Sequence, residues 1–166
     1  MLLSDYAAKA ATTAIFPTEH GPAYTALGLC SEVAELITLP GDASGSEVVA
    51  EMGDCLWYVA MVARTNALRL QWDLSARTGI GHPDQIFDDL GGTSGYVAGR
   101  IKKRLRDGHD SVPDADITTT LCTFLANLAS LAAVFDTDLA AVAQSNLDKL
   151  ASRAARGALS GSGDNR

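Results

Sequence analysis

The chain is poor in several residue types, and each shortage excludes something. Histidine occurs only as His20, His82 and His109, all in loop-like sequence, so the Glu-x-x-His pairs of a di-iron bundle are missing. Cysteine occurs only as Cys30, Cys55 and Cys122. An odd number without finger-type spacing gives neither a disulfide framework nor a zinc site. All three fall in apolar helical runs, where a thiol acts as a small hydrophobe in a reducing compartment. Aromatic residues make up 6% of the chain and Val/Ile clusters are short, whereas alanine and leucine abound within a 47% apolar composition. That balance favours an all-α helical bundle over a sheet. The opening Met1-Leu2-Leu3-Ser4-Asp5-Tyr6 lacks a basic segment leading into a long apolar core, and no uninterrupted apolar run reaches bilayer length. Positive charge is short too: 13 Lys and Arg against 20 Asp and Glu leave a net charge of −7. General binding to nucleic acid or to an anionic membrane needs the opposite field. The expectation is a cytoplasmic protein, and 166 residues suffice for one domain with its own core.

What the sequence does hold is four acids in two i, i+3 pairs, Glu32 with Glu35 and Glu51 with Asp54, inside otherwise apolar helical stretches. An unpartnered buried charge is strongly destabilising. Three-residue spacing puts both members of a pair on one helix face, with Cβ atoms roughly 5–6 Å apart. The two stretches are joined by Pro40-Gly41-Asp42-Ala43-Ser44-Gly45-Ser46, short enough to make them antiparallel neighbours. All four carboxylates are then expected to converge. Oxygen-only ligands select a hard ion, Mg²⁺ or alternatively Mn²⁺, which retains waters that phosphate oxygens can replace. The competing reading is that these acids are solvated helix-face charges or caps.

Along the chain, a first helix is expected from Ser4 or Asp5 to about Phe16, stopped by Pro17. A second begins near Pro22, carries Glu32 and Glu35 and ends at Pro40-Gly41. A third is capped by Ser46, carries Glu51 and Asp54 and continues to about Gln71. Residues 1–77 are expected to form a metal-binding half, and 78–92, rich in glycine, proline and aspartate, a connector with at most a short helical turn. A second half, 93–156, holds helices from Thr93 to Arg106, Ile117 to Phe135 and Asp138 to Arg156. A polar tail covers 157–166. The halves resemble diverged copies of one unit: Glu32-Val33-Ala34-Glu35-Leu36-Ile37 lies over Tyr96-Val97-Ala98-Gly99-Arg100-Ile101 with its apolar positions matched and its acids lost. Chance likeness between two amphipathic hairpins is the alternative.

These residues resemble the MazG-like branch of the all-α NTP pyrophosphatase superfamily, which includes dimeric dUTPases and dCTP pyrophosphatases. The family pattern of Glu-x-x-Glu, a gap and Glu-x-x-Asp is met by Glu32, Glu35, Glu51 and Asp54. The most specific phrase is Glu51-Met52-Gly53-Asp54-Cys55-Leu56-Trp57-Tyr58. Leu27-Gly28-Leu29 and the run Asn146 to Arg153 add to the likeness. One departure stands out. Members place a Lys-Lys-x-x-Arg-Asp-Gly-like stretch soon after the first acid pair; here Thr38-Leu39-Pro40-Gly41 stands there, and the basic stretch appears as Lys102-Lys103-Arg104-Leu105-Arg106-Asp107-Gly108.

The resemblance implies hydrolysis of a nucleoside or deoxynucleoside triphosphate between its α and β phosphates, with carboxylate-held Mg²⁺ activating water. Glu32, Glu51 and Asp54 are the implied direct ligands, and Glu35 shares the ion and acts as general base. Lys102, Lys103, Arg106, Asn146 and Lys149 are expected to reach the triphosphate from the second half. Tyr58, one turn beyond Asp54, is the candidate for stacking on the base or bonding the sugar, with core packing as its other reading. A homodimer is expected from the relatives, and a monomeric pseudo-dimer is the alternative. Two rivals remain: a catalytically silent nucleotide or metal sensor of the same fold, and a protein docking RNA or an acidic partner through Arg100 to Arg106.

Overall fold

In a computed structural model, which describes residues 1–79 and 81–159, the chain is a bundle of α-helices. Among the described residues the helices are α1 (Leu3–Ala10), α2 (Gly21–Ile37), α3 (Gly45–Thr65), α4 (Pro83–Asp107), α5 (Asp114–Val134) and α6 (Leu139–Ala155). Among the described residues no strand forms, and an isolated antiparallel bridge joins Leu2 to Asp73. Ile80, and the tail expected over 157–166 from residue 160 on, lie outside the described residues.

The centre is α3, in contact with α1, α2, α5 and α6. Val48, Met52, Cys55, Leu56, Val59 and Val62 give it a wide buried face, which helical periodicity produces from this sequence. Its start is fixed by a capping box: Ser44 Oγ accepts from Glu47 N, and the Glu47 carboxylate accepts from Ser44 N at 2.7 Å. The cap is thus Ser44 rather than Ser46, because the reciprocal bond needs Glu at the third helical position. The helix stops at Thr65, short of Gln71, where Asn66 leaves helical geometry and Ala67 takes φ 53°. Likewise α1 stops at Ala10, and Ala11–Thr13 tightens into a 3₁₀ turn before Pro17.

Helices α2 and α3 form an antiparallel hairpin. Thr25 and Thr65 hydroxyls lie 3.0 Å apart, Gly28 faces Tyr58, and Glu32 and Glu35 meet Glu51, so one chain descends as the other climbs. Helix α4 runs antiparallel to α2 on its other side, with Cys30 Sγ donating to Ser94 O and Gly91 beside Ile37. The α4–α5 corner is tied by Arg104, which donates to Val112 O and to Asp114 at 2.6 Å.

The expected connector over 78–92 is the largest difference. From Pro83 it is helical, continuous with the helix expected only from Thr93. Pro83 stands in the first turn, where proline is pre-organised, Asp84 favours the helix N-terminus, and Ile86 and Leu90 continue the buried face of Val97 and Ile101. Four glycines, Gly91, Gly92, Gly95 and Gly99, sit inside this helix at a cost of about 0.5–1 kcal/mol each relative to alanine. Helix α5 is long and apolar enough, by length and composition, to cross a bilayer. Here it is a core helix, burying Ile117, Leu121, Phe124, Leu125 and Leu128.

Candidate functional site

The two acid pairs come from facing sides of the α2–α3 hairpin. On α2, Leu29, Val33 and Leu36 point into the core, and Glu32 and Glu35 fall at its edge by helical spacing. On α3, Glu51 lies within the buried face and is only 8% exposed. One carboxylate oxygen each from Glu32, Glu35 and Glu51 lies within 4.8 Å of the others. Burial first, then the charges of Asp54, Glu35 and Glu51, push the Glu32 carboxyl up to about 8, with Lys149 opposing. Glu35 is the exposed member, and Ser31 Oγ donates to its Oε1 at 3.2 Å.

Asp54 is held differently. Lys149 Nζ donates to its Oδ2 at 2.5 Å and Asn146 Nδ2 to its Oδ1 at 3.0 Å, both from α6. Lys149 and Asp54 are 22% and 18% exposed, so the pair is partly desolvated but still open to solvent. Asn146 is itself fixed from the far side: the Tyr6 hydroxyl, fully buried on α1, donates to its Oδ1 at 2.7 Å. Burial first, then the Asp54 charge, holds the Tyr6 phenol well above its usual range, so it stays a donor. A Cβ on Gly53 would stand 3.1 Å from Asn146 Cβ and Nδ2, so the missing side chain lets α6 press close beside Asp54.

Next along α3, Tyr58 and Trp57 join Phe16 and Tyr24 in an aromatic cluster. Phe16 stacks on Tyr24 with centroids 4.8 Å apart, Tyr24 is 6.2 Å from Tyr58, and Trp57 meets Tyr58 edge-on at 4.8 Å. Burial, a hydrogen bond with Tyr24 and the nearby charges of Glu32 and Asp54 raise the Tyr58 hydroxyl far above its normal range. Its ring lies over Gly28, where a Cβ would come within 1.9 Å of Cε1. Tyr24 is 44% exposed, while Trp57 is half-buried and donates to Ala10 O.

Of the expected site residues, Glu32, Glu35, Glu51, Asp54, Asn146, Lys149 and Tyr58 are therefore neighbours. Lys102, Lys103 and Arg106 are not. Ser94 is level with Cys30, and α4 rises about 1.5 Å per residue, so Lys102 lies about 12 Å farther on, towards the start of α2 and away from Glu32 and Glu35. Arg106 instead bonds Asp107 at 2.7 Å. Tyr6, Phe16, Tyr24 and the two contact-making glycines, Gly28 and Gly53, carried no individual signal of these contacts in sequence. Cys30, Cys55 and Cys122 are all free thiols.

The architecture is an all-α bundle carrying a carboxylate cluster on one helical hairpin, with a lysine and an asparagine delivered by the last helix. No family model matches the chain, and no solved structure matches it. The chain belongs to the family of the Gene 37 protein of Mycobacterium phage L5, to which it is 40% identical over 80 residues, 46% of this chain and 70% of that relative. That protein's name states no activity.

Proposed function

We propose that the chain is a Mg²⁺-dependent nucleoside triphosphate pyrophosphohydrolase, with Mn²⁺ as the alternative ion, that cleaves a ribo- or deoxyribonucleotide between its α and β phosphates. The products are the monophosphate and pyrophosphate. The observation that carries this reading is the convergence of Glu32, Glu35 and Glu51 from two helices into a cluster within 4.8 Å.

The donor set fits a hard divalent ion, since every ligand atom is a carboxylate oxygen and the raised Glu32 carboxyl marks a cluster short of positive charge. Glu32, Glu35 and Glu51 would hold the ion, with Asp54 beside them. Such an ion supplies charge neutralisation at phosphate oxygens and lowers the pKa of water. Glu35, exposed and oriented by Ser31, is placed to accept the proton of the attacking water. Lys149 rests on Asp54 and reaches solvent, so it can turn to a phosphate oxygen, while Tyr6 and Asn146 keep Asp54 in place. Tyr58 and Tyr24 offer ring faces beside the acids for a base. Lys102, Lys103 and Arg106 have no part in the site of their own chain.

The test is pyrophosphate release from a panel of ribo- and deoxyribonucleoside triphosphates with Mg²⁺, Mn²⁺ or EDTA, beside Glu51→Ala. Metal-dependent release lost in the variant is expected. Absence of release from every nucleotide by folded protein would leave the silent nucleotide or metal sensor in its place.

A further inference from the structure

The four acids of the hairpin are not equivalent. Glu32, Glu35 and Glu51 bring carboxylate oxygens within 4.8 Å of one another, and Asp54 lies outside that group. It follows Glu51 by one helical turn, and both of its oxygens are already engaged from α6. Asn146 donates to Oδ1 at 3.0 Å and Lys149 to Oδ2 at 2.5 Å.

These two engagements differ in how they can be undone. Asn146 is 3% exposed and is clamped by the Tyr6 hydroxyl at 2.7 Å. It also packs on Gly53, where a Cβ would stand only 3.1 Å from it. It is a fixed donor. Lys149 instead carries its ammonium on a flexible four-carbon stem, and 22% of its side chain remains in solvent. Rotation of that stem can take the ammonium off Asp54 while α6 stays docked.

The ammonium and a divalent ion would serve the same need. Lys149 opposes the negative charge at Glu32 as well as at Asp54, so its field reaches the three-acid group. An ion held there would meet a positive charge close by, in a setting where water screens less than it does at an open surface.

We propose that Lys149 is a built-in counterion that keeps a divalent ion from drawing on Asp54 until a phosphate attracts the ammonium away. This rests on the reading of the acids as a divalent-ion site and adds a control on that site. The ion alone works against the ammonium, whereas a polyphosphate gives the ammonium another partner. Ion and polyphosphate therefore favour each other's binding.

The test is calorimetric titration of the full chain with Mn²⁺, without nucleotide, for wild type, K149Q, K149M and K149Q/D54N, each checked for helicity by circular dichroism. K149Q and K149M should bind Mn²⁺ about five- to tenfold more tightly than wild type. Loss of a merely structural bond would not tighten ion binding. K149Q/D54N should lose the gain, because the gain comes from the released carboxylate. Lysine variants that bind Mn²⁺ no more tightly than wild type, or a gain that survives in K149Q/D54N, would overturn the proposal and leave the ion site standing. Absence of Mn²⁺ binding by all four folded proteins would overturn the ion site and the proposal together.

Discussion

Replacing Glu32 by glutamine should make the metal-free protein more stable at high pH. The unfolded carboxyl ionises near 4.5 and the folded one near 8, raised by burial and by Asp54, Glu35 and Glu51. Between those values the native state holds a proton that the unfolded state has released. Stability therefore falls as pH rises through the window, and the loss is complete above the folded value. At 1.36 kcal/mol per pH unit the upper bound is about 5 kcal/mol. Glu32 is only partly buried, so solvent screening reduces this to about 1–2 kcal/mol. Glutamine keeps the shape and has no proton to lose. Urea unfolding in EDTA, followed by helical circular dichroism, should give nearly equal stabilities at about pH 4 and an advantage for Glu32→Gln of about 1–2 kcal/mol at about pH 9. Parallel pH curves, or a less stable variant at the high end, would refute the picture of a cluster strained by like charge.

Other outcomes follow from the same geometry. Adding Mg²⁺ to metal-free protein near pH 8 should raise Tm, and Glu51→Ala should abolish the rise, read by thermal melts with and without EDTA. Gly28→Ala should cost about 1–3 kcal/mol in urea unfolding, because the new Cβ meets the Tyr58 ring and overpacking is relieved only by displacing it. Asn146→Ala should cost about 1–3 kcal/mol by leaving the buried Tyr6 hydroxyl without its acceptor; adding Tyr6→Phe should recover part of that loss in a double-mutant cycle. Ser44→Ala should cost about 1 kcal/mol, with loss of the first-turn bonds of α3 visible as faster amide exchange at Glu47.

The acids were legible because two independent signals agreed: three-residue spacing, and charge inside apolar sequence. The lysine and asparagine of α6 were legible only through a family likeness, since nothing local to Asn146 or Lys149 points to Asp54. Tyr6 was invisible for the same reason, being a tyrosine in an ordinary first helix whose partner lies 140 positions away. The segment 83–92 is helical despite its glycines because Ile86 and Leu90 bury an apolar face, and that burial outweighs the low helix propensity of Gly91 and Gly92. The basic stretch from Lys102 to Arg106 was expected at the triphosphate through the family likeness, but the antiparallel register of α4 on α2 carries it towards the start of α2 and away from the carboxylates.

The two kinds of contact in the site differ widely in sequence separation, and this has a kinetic side. The three clustered acids come from one short hairpin, whereas the bonds from Asn146 and Lys149 to Asp54 close over 92 and 95 positions and that from Tyr6 over 140. Local pairings can form early, and distant ones must wait for the loops between them to close. The residues of the hairpin precede Lys149 in the chain, so the three acids can be brought together before the cation that opposes them is in place. If the proposed ion binds this cluster, it would oppose the repulsion between the three acids while α2 and α3 pair and before α6 docks.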